Sequence, residues 1–230
     1  REYHSGKGSV EYAWKKGESN PSSGGTMRRL FTPCDSLYVD FWIKYSDNYT
    51  GSDQPYHPHE FYILTTENDS FTGPAFTHLT AYIEQNEGVP QLALQDGMNI
   101  DQFRLKTDLT QVTENRAVCG CNGALKEEQP TYIDCYQRDE TTHWNGKVWK
   151  ADHPFFYQGK STEAPSHWHH ITAFFKLNHI VNGKGLADGV VQYWFDRVLI
   201  ISQARVLMRT GKHPSMKFNH FLIGPHIGDG

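Results

Sequence analysis

The chain has 230 residues, and 22 Lys and Arg against 26 Asp and Glu leave a formal net charge of −4. This near-neutral balance, without any run of basic residues, argues against nucleic acid as a partner. No apolar stretch approaches the roughly 18 residues of a membrane-spanning helix, so a membrane partner is not expected either. The 13 Phe, 12 Tyr and 6 Trp, together with 20 Gly and 11 Pro, favour strands joined by turns.

The first residue and the cysteines bear on where the protein resides. Arg1 is not a Met, and no signal-like apolar stretch follows it, which is typical of a trimmed, mature product. Cys119, Cys121 and Cys135 could supply one local disulfide, and a second bridge could include Cys34. We therefore expect a secreted, extracellular or periplasmic protein. The alternative is a cytosolic protein with four free thiols.

Apolar side chains alternate with polar ones in several segments, and helical periodicity is nearly absent. In residues 37–45, for example, Leu37 and Val39 share one face while Tyr38 and Trp42 share the other. The same period of two predicts strands at residues 37–45, 78–84, 91–95, 169–177, 190–196, 197–203 and 216–223.

Turn-rich segments separate these strands. Residues 18–26 and 46–58 are expected to be loops, and Asp188-Gly189 and Asp196-Arg197 resemble hairpin turns. Residues 99–166 form an irregular insertion, which in a compact domain is usually functional or tied by disulfides. The whole pattern predicts one all-β domain over residues 1–230, a β-sandwich of two stacked antiparallel sheets.

The predicted outer faces of these strands carry aromatic, amide and imidazole side chains where Thr, Lys, Glu and Ser would be usual. They are Tyr38, Trp42, His78, Tyr82, Gln95, Trp168, His170, Gln192 and Trp194. Aromatic rings stack on the apolar faces of sugar rings, and the polar groups bond sugar hydroxyls. A groove lined in this way suits a polysaccharide. In the alternative, loops or a second subunit cover these faces, and the aromatic residues form a second core layer.

Two histidine-rich segments are candidates for acid–base chemistry. His57 and His59 would share one side of an extended strand, as a metal site or an acid–base site requires. His59, at the strand edge, is the first candidate for a catalytic base or a group that neutralises a carboxylate. The alternative is a surface segment without a partner. In the second segment, Trp168 and His170 share a face, and His169 is expected to be a core-edge residue.

Other enzyme classes find little support. The sequence contains no nucleophile elbow, phosphate-binding loop, dinucleotide-binding glycine pattern or His-Glu-x-x-His zinc motif. Glu60, Glu84 and Asp40 are available, but no short Glu-x-Asp-x-x-Glu pattern supports a glycosidase. Arg28 could clamp a uronate carboxylate through two hydrogen bonds, with an ordinary surface role as the alternative.

Two stretches of the sequence resemble a known family. One runs from Arg29-Leu-Phe through Leu37-Tyr-Val-Asp-Phe-Trp-Ile-Lys-Tyr45, and the other from His167-Trp168-His169-His170-Ile171 to Gly189-Val-Val-Gln-Tyr-Trp-Phe-Asp196. They resemble early strands and a later Trp-x-Asp hairpin of the concanavalin A-like lectin/glucanase superfamily, above all of the β-jelly-roll polysaccharide lyases. The resemblance implies a jelly roll whose closing strand is absent or lies beyond Gly230.

Those lyases act on alginate, glucuronan, heparin or ulvan, so the resemblance implies β-elimination at a uronic acid. On that basis His59 is the base or the neutralising group, and Tyr82 and Tyr193 are proton donors. The outer faces and the resemblance together suggest the following substrate-binding residues: Arg28, Trp42, His78, Gln95, Trp168, His170, Lys176, Gln192 and Trp194.

This chemistry requires no cofactor, although the resemblance implies a structural calcium ion. Asp35, Asp40, Asp229 or loop carbonyls could supply its oxygen ligands. Two other functions stay open: a non-catalytic glycan-binding module, and a structural, self-assembling extracellular protein whose aromatic faces are subunit contacts. A converging His-Tyr-Arg set would favour the enzyme and an open aromatic face would favour binding. Large, dry contacts between chains would favour a homo-oligomer or larger assembly.

Overall fold

The structure, a computed structural model, describes residues 3–18, 20–46, 59–65, 77–86, 88–95, 148–155 and 167–225, without the side chains of Asn86 and Val148. The predictions at His57, Cys119, Cys121, Cys135 and Asp229 lie outside the described residues. Within the described ranges, no helix is long and apolar enough to span a membrane.

Strands are the main regular structure of the described residues. They are β1 (Met27–Cys34), β2 (Ser36–Ile43), β3 (His59–Leu64), β4 (Thr80–Asn86), β5 (Val89–Gln95), β6 (Val148–Lys150), β7 (His169–Lys176), β8 (Ile180–Val181), β9 (Lys184–Gly185), β10 (Gly189–Phe195), β11 (Val198–Val206) and β12 (Phe218–Ile223). Every pairing between them is antiparallel, which confirms the all-β prediction.

Two sheets pack face to face and enclose the core. The six-stranded sheet has the order β1-β12-β3-β4-β5-β6, the four-stranded sheet has the order β11-β10-β7-β2, and β8 and β9 form a separate hairpin. Phe61 of β3 meets Phe41 of β2 and Phe175 of β7, with ring centroids 5.7 and 6.3 Å apart. These contacts join the two sheets, so the predicted sandwich is confirmed.

The alternation in the sequence decides which side chains enter this core. Ala81 and Ile83 of β4 are fully buried, as are Ile171 and Phe175 of β7, and all four belong to one apolar cluster. Burial of apolar surface at roughly 25 cal/mol per Å² is the main favourable term that holds the sheets together. The residues between them point outward, which places the predicted polar and aromatic positions on the two outer faces of the sandwich.

Two edge strands lie outside the segments in which the alternation is clear. β1 has side chains of intermediate or high exposure throughout because it lies at an edge of the six-stranded sheet, and it therefore lacks a clean period of two. The stretch that resembles the lyases begins at Arg29, within β1. β6 comes from the predicted insertion and adds to the opposite edge, where Trp149 pairs with Leu92.

The predicted turns are correct in one case and wrong in another. Asp196 and Arg197, with φ of 48° and 70°, join β10 to β11 in the left-handed conformation of a tight hairpin turn. Asp188-Gly189 is not a hairpin turn, because Gly189 begins β10 and the preceding strand, β9, pairs with β8. A Cβ at Gly189 would lie 2.5 Å from the carbonyl oxygen of Val206. Asp188 instead accepts a hydrogen bond from the backbone N–H of His179 at 2.8 Å.

The disulfide prediction can be followed only at Cys34. This residue ends β1 and is a free thiol, and burial raises its pKa. A local bridge among the other three cysteines stays a prediction.

Candidate active site

The sandwich divides the candidate residues between two outer faces. We call the outer face of the six-stranded sheet the His59 face; it carries Arg28, His59, Tyr62, Tyr82, Glu84 and Gln95. We call the outer face of the four-stranded sheet the Trp194 face; it carries Tyr38, Trp42, His170, Lys176, Gln192 and Trp194. Because the sheets pack with their inner faces together, these two surfaces point in opposite directions. The candidate residues therefore do not line one groove.

A β-bulge places His59 on its face. His59 pairs with Glu84, but the register then shifts so that Phe61 pairs with Ile83, which leaves Glu60 as the extra residue. In a regular strand His59 and Phe61 would share a face. The bulge instead turns His59 outward toward Glu84, while Glu60 and Phe61 both point into the core.

His59, Glu84, Tyr62 and Tyr82, the His59 cluster, come together where β3 and β4 pair. His59 Nε2 lies 3.1 Å from Glu84 Oε2, and the His59 ring lies 4.9 Å from the Tyr62 ring and 5.1 Å from the Tyr82 ring. The two tyrosines pair directly across the strands, with ring centroids 5.9 Å apart. The side chain of His59 is 22% exposed and that of Glu84 only 6%. His59 is thus the more accessible member of a largely buried histidine–carboxylate pair.

The cluster separates proton-donating from proton-accepting groups. Burial, reinforced by the nearby Glu84, raises the pKa of Tyr62 well above its usual value, so its hydroxyl keeps its proton. An imidazole can accept a proton, and the Glu84 carboxylate orients the ring and stabilises the cation that results. The cluster therefore holds a group that can accept a proton beside one that can donate a proton; the His59 nitrogen that does not face Glu84, Nδ1, is buried.

Amide and basic groups lie on the same face as the cluster. Gln91 pairs with Glu84, and Gln95 pairs with Thr80 on the same face, both with buried side chains. Arg28 extends the row through Leu222 to Tyr62 and is exposed on the edge strand β1. These side chains supply hydrogen-bond donors for a carboxylate or hydroxyl on the substrate.

Two further histidines lie close to this sheet. His220 of β12 is fully buried, and burial, with Arg28 nearby, lowers the pKa of its imidazole, which is therefore neutral near pH 7. His78 precedes β4 and stacks on His213, with ring centroids 4.0 Å apart and planes at 20°. Both histidines pack against neighbours and lie outside the His59 cluster as we define it.

Tyr193 does not lie on either outer face. It is fully buried between the sheets and donates a hydrogen bond to Glu60 Oε2 at 2.9 Å. Gln85 donates to the other oxygen of Glu60 at 3.0 Å and also contacts the hydroxyl of Tyr45. We therefore leave Tyr193 out of the site and treat it as part of an interior polar cluster with Glu60, Gln85 and Tyr45.

Burial raises the pKa of Glu60 from 4.5 to about 7, against the opposing hydrogen bonds from Gln85 and Tyr193. The buried carboxyl is thus largely protonated in mildly acid solution. It anchors the bulge from the inside while His59, the preceding residue, faces outward.

The Trp194 face holds the remaining candidates. Trp42 stacks on His170 at 4.6 Å, and His170 Nε2 lies 3.0 Å from Asp40 Oδ1. Trp168 precedes β7 and meets the ring of His4 edge-on at 6.2 Å. Lys176, Gln192 and Trp194 occupy positions of intermediate exposure on β7 and β10.

His169 is a core-edge residue, as predicted. Its Nδ1 lies 2.7 Å from Asp196 Oδ2, and the other oxygen of Asp196 accepts the backbone N–H of His170 at 2.8 Å. Asp196 therefore ties the hairpin turn to the start of β7.

Sequence reasoning missed Tyr62, Gln91 and the role of Glu84. Glu84 ends the predicted strand at residues 78–84 and was recognised only as an available carboxylate. Tyr62 had no visible signal, because the bulge at Glu60 breaks the period of two in β3. Only the pairing of β3 with β4 brings these side chains to His59.

The predicted calcium ligands are engaged elsewhere. Asp35 lies 2.8 Å from Arg209 Nη1 and 3.4 Å from Lys217 Nζ, and Asp40 contacts His170. In the part of the chain that the structure describes, no group of three His, Cys, Asp or Glu side chains could hold a metal ion. Asp35 and Asp40 therefore do not fit a calcium site, and a calcium ion elsewhere stays a prediction.

Solved structures of similar strand arrangement include polysaccharide lyases. An alginate lyase from Chlorella virus, vAL-1, matches 84% of this chain with a TM-score of 0.45 and 13% identity. An endo-β-1,4-glucuronan lyase from the fungus Trichoderma reesei matches 92% of it with a TM-score of 0.46 and 11% identity. Alginate lyase Aly36B matches 91% of it with a TM-score of 0.46 and 11% identity.

This chain spans 63% of the viral lyase, 68% of the fungal lyase and 67% of Aly36B. No protein-family model matches the sequence, and no curated protein matches it at a significant level. The likeness to these solved structures concerns the fold alone.

Proposed function

We propose that this chain is a polysaccharide lyase that cleaves a uronic-acid polymer by β-elimination on the His59 face. The observation that carries the proposal is the convergence of His59, Glu84 and Tyr62 in one cluster. A histidine held by a carboxylate and packed against tyrosines supplies the proton acceptor and the proton donor that elimination needs. The sequence features given above support a secreted or periplasmic setting for such an enzyme.

The cluster accounts for each proton in the reaction. His59 takes the proton from C5 of the uronate, and the electron pair of the C5–H bond forms the C4–C5 double bond. The C4–O bond breaks, and Tyr62 donates a proton to the leaving oxygen. Glu84, 3.1 Å from His59, stabilises the imidazolium. His59 has then gained one proton and Tyr62 has lost one, so exchange with water restores both groups.

Removal of the C5 proton also requires that the uronate carboxylate be neutralised, because negative charge develops on it. Arg28 and Gln95, both expected to bind the carboxylate, lie on the same face but on β1 and β5, roughly 19 Å apart, so they cannot both reach it. Gln91, next to Glu84 on β5, is a further donor. The role of Tyr82 is to pack against His59 and to offer a second hydroxyl beside Tyr62.

The experiment follows the ultraviolet absorbance of the unsaturated product while the protein is incubated with alginate, glucuronan, heparin, ulvan or pectin. We expect one of these polymers to be cleaved, and His59→Gln to lower the rate by at least about a hundredfold. His179→Gln is the matched control, because His179 also pairs with a carboxylate, Asp188, at 2.6 Å, but is 61% exposed outside the cluster.

The two variants separate the possible outcomes. Loss of turnover in His59→Gln but not in His179→Gln supports the proposal. Equal rates in His59→Gln and wild type would exclude His59 as the base. Binding of one polymer without any cleavage would make the chain a non-catalytic glycan-binding module.

A further inference from the structure

Two aromatic rings form a continuous surface on the Trp194 face. Tyr38 of β2 and Trp194 of β10 are separated by β7, so the backbones of β2 and β10 lie roughly 9.5 Å apart. Their ring centroids nevertheless lie only 6.1 Å apart, at an interplanar angle of 47°, so the side chains lean toward each other over β7. Tyr38 is 60% exposed. The pair is therefore open to a ligand from solvent.

Polar groups border this aromatic pair. Gln192, two residues before Trp194 on the same face, donates a hydrogen bond to Ser202 Oγ at 3.2 Å. Phe174 lies between Tyr38 and Gln192 in the register of the sheet. An amide and a hydroxyl beside exposed rings match the alternating polar edges and apolar faces of a sugar chain.

One lysine of this face can pair with an anionic ligand, and Asp188 lies within its electrostatic range. Among the described strand positions of the Trp194 face, Asp40 is the one carboxylate, and it is paired with His170 at 3.0 Å. Lys176 lies on the same face one strand from Tyr38, opposite Ser36 of β2. Its ammonium group can pair with a sugar carboxylate.

The Trp42 end of the face is closed by the chain itself. His4 stacks on Trp42 with ring centroids 3.5 Å apart and planes at 11°, and His170 also stacks on Trp42 at 4.6 Å. Trp42 and His170 are therefore already covered. The open part of the face is the region around Tyr38, Trp194, Gln192 and Lys176.

From these observations we infer that the open part of the Trp194 face is a second, non-catalytic binding site for an acidic polysaccharide. It lies on the side of the sandwich opposite the His59 face, so a chain held there is not the chain undergoing cleavage. Such a site keeps the protein on a polymer between reactions. The choice of an acidic polymer rests on the proposed function, whereas the surface itself does not.

The test measures binding without turnover. His59→Gln protein is run in native gels that contain alginate, glucuronan, heparin, ulvan, pectin or a neutral glucan, and retardation gives the dissociation constant. We expect retardation by an acidic polymer, and roughly tenfold weaker binding when Trp194→Ala or Tyr38→Ala is added. Leu186→Ala, which removes a side chain 45% exposed outside the face, is the control and should bind normally.

Two results would overturn this inference: binding that neither aromatic variant weakens, and retardation by the neutral glucan alone. Sedimentation velocity adds a third, since self-association abolished by Trp194→Ala without a change in polymer binding would make the face a subunit contact. The outcome is independent of catalysis. If no polymer is cleaved but Trp194-dependent binding persists, the proposed function fails while this site stands.

Discussion

His59 and Glu60 are consecutive in the sequence, yet their side chains point to opposite faces of the same sheet. His59 faces outward to Glu84, whereas Glu60 is held in the core by Tyr193 and Gln85. The bulge between them allows a polar residue of the core to anchor a candidate catalytic residue of the surface. The two groups can therefore be tested separately.

Glu60 should make stability depend on pH. Its folded pKa of about 7 exceeds the ordinary value of 4.5, so the folded state binds its proton more tightly than the unfolded state. The full stability is present below about pH 4.5 and is lost as pH rises through about 7, by about 3 kcal/mol in total. Glu60→Gln carries no such proton and should lack this loss.

Urea unfolding at about pH 5 and about pH 8 measures the difference. Wild type should lose more stability between these pH values than Glu60→Gln, because all other titrating groups are shared. Parallel pH dependence in the two proteins would show that Glu60 does not hold its proton in the fold.

Tyr62 should act as an acid and not as a base. Its raised pKa keeps the hydroxyl protonated, so Tyr62→Phe removes the proton donor while it keeps the ring that packs on His59. We expect a rate of cleavage lower by about a hundredfold or more, with an unchanged melting temperature. Tyr3→Phe, at an exposed tyrosine, is the control. A Tyr62→Phe variant of full activity would exclude Tyr62 as the donor.

At the scale of strands, period-two patterns were informative where the strand itself contains no extra residue. β4, β7 and β10 have the buried faces that the alternation of Ala81, Ile171 and Val191 indicates. β3 could not be assigned in this way, because one extra residue at Glu60 shifts the whole pattern. The pairing of β12 with both β1 and β3 joins segments more than 150 residues apart, for which local periodicity contains no information.

Asn178 should be a structural requirement for the connection after β11. It is fully buried; its Oδ1 accepts the backbone N–H groups of Met208 and Arg209, both at 2.8 Å, and its Nδ2 donates to the carbonyl of Arg209. Asn178→Ala leaves these buried groups unpaired and should cost about 2–5 kcal/mol of unfolding free energy.

Urea unfolding measures this loss, with Asn182→Gly as the control. Asn182 is an exposed turn residue with φ of 51°, which glycine adopts readily. A loss below about 1 kcal/mol for Asn178→Ala would mean that water replaces the side chain.

At the scale of the whole molecule, the sandwich places the two sets of candidate carbohydrate-binding residues on opposite outer faces. Alternation identifies which side chains leave the main core, and Tyr82 and Trp194 do so; Tyr82 is nevertheless buried, in a second small apolar cluster with Ala93 and Tyr62. It cannot tell which of the two sheets a strand joins, so both sets were assigned to one groove. Sheet membership depends on long-range pairing, and this pairing assigns Tyr82 to one face and Trp194 to the other.

The central claim is that the His59 cluster performs an elimination. Mass spectrometry of the products from whichever acidic polymer is cleaved tests it most directly. Elimination predicts that one of the two new ends is unsaturated, so the fragments together contain no added water, and that His59→Gln forms almost none of them. Fragments that have gained a water molecule, or equal product from His59→Gln, would contradict the account.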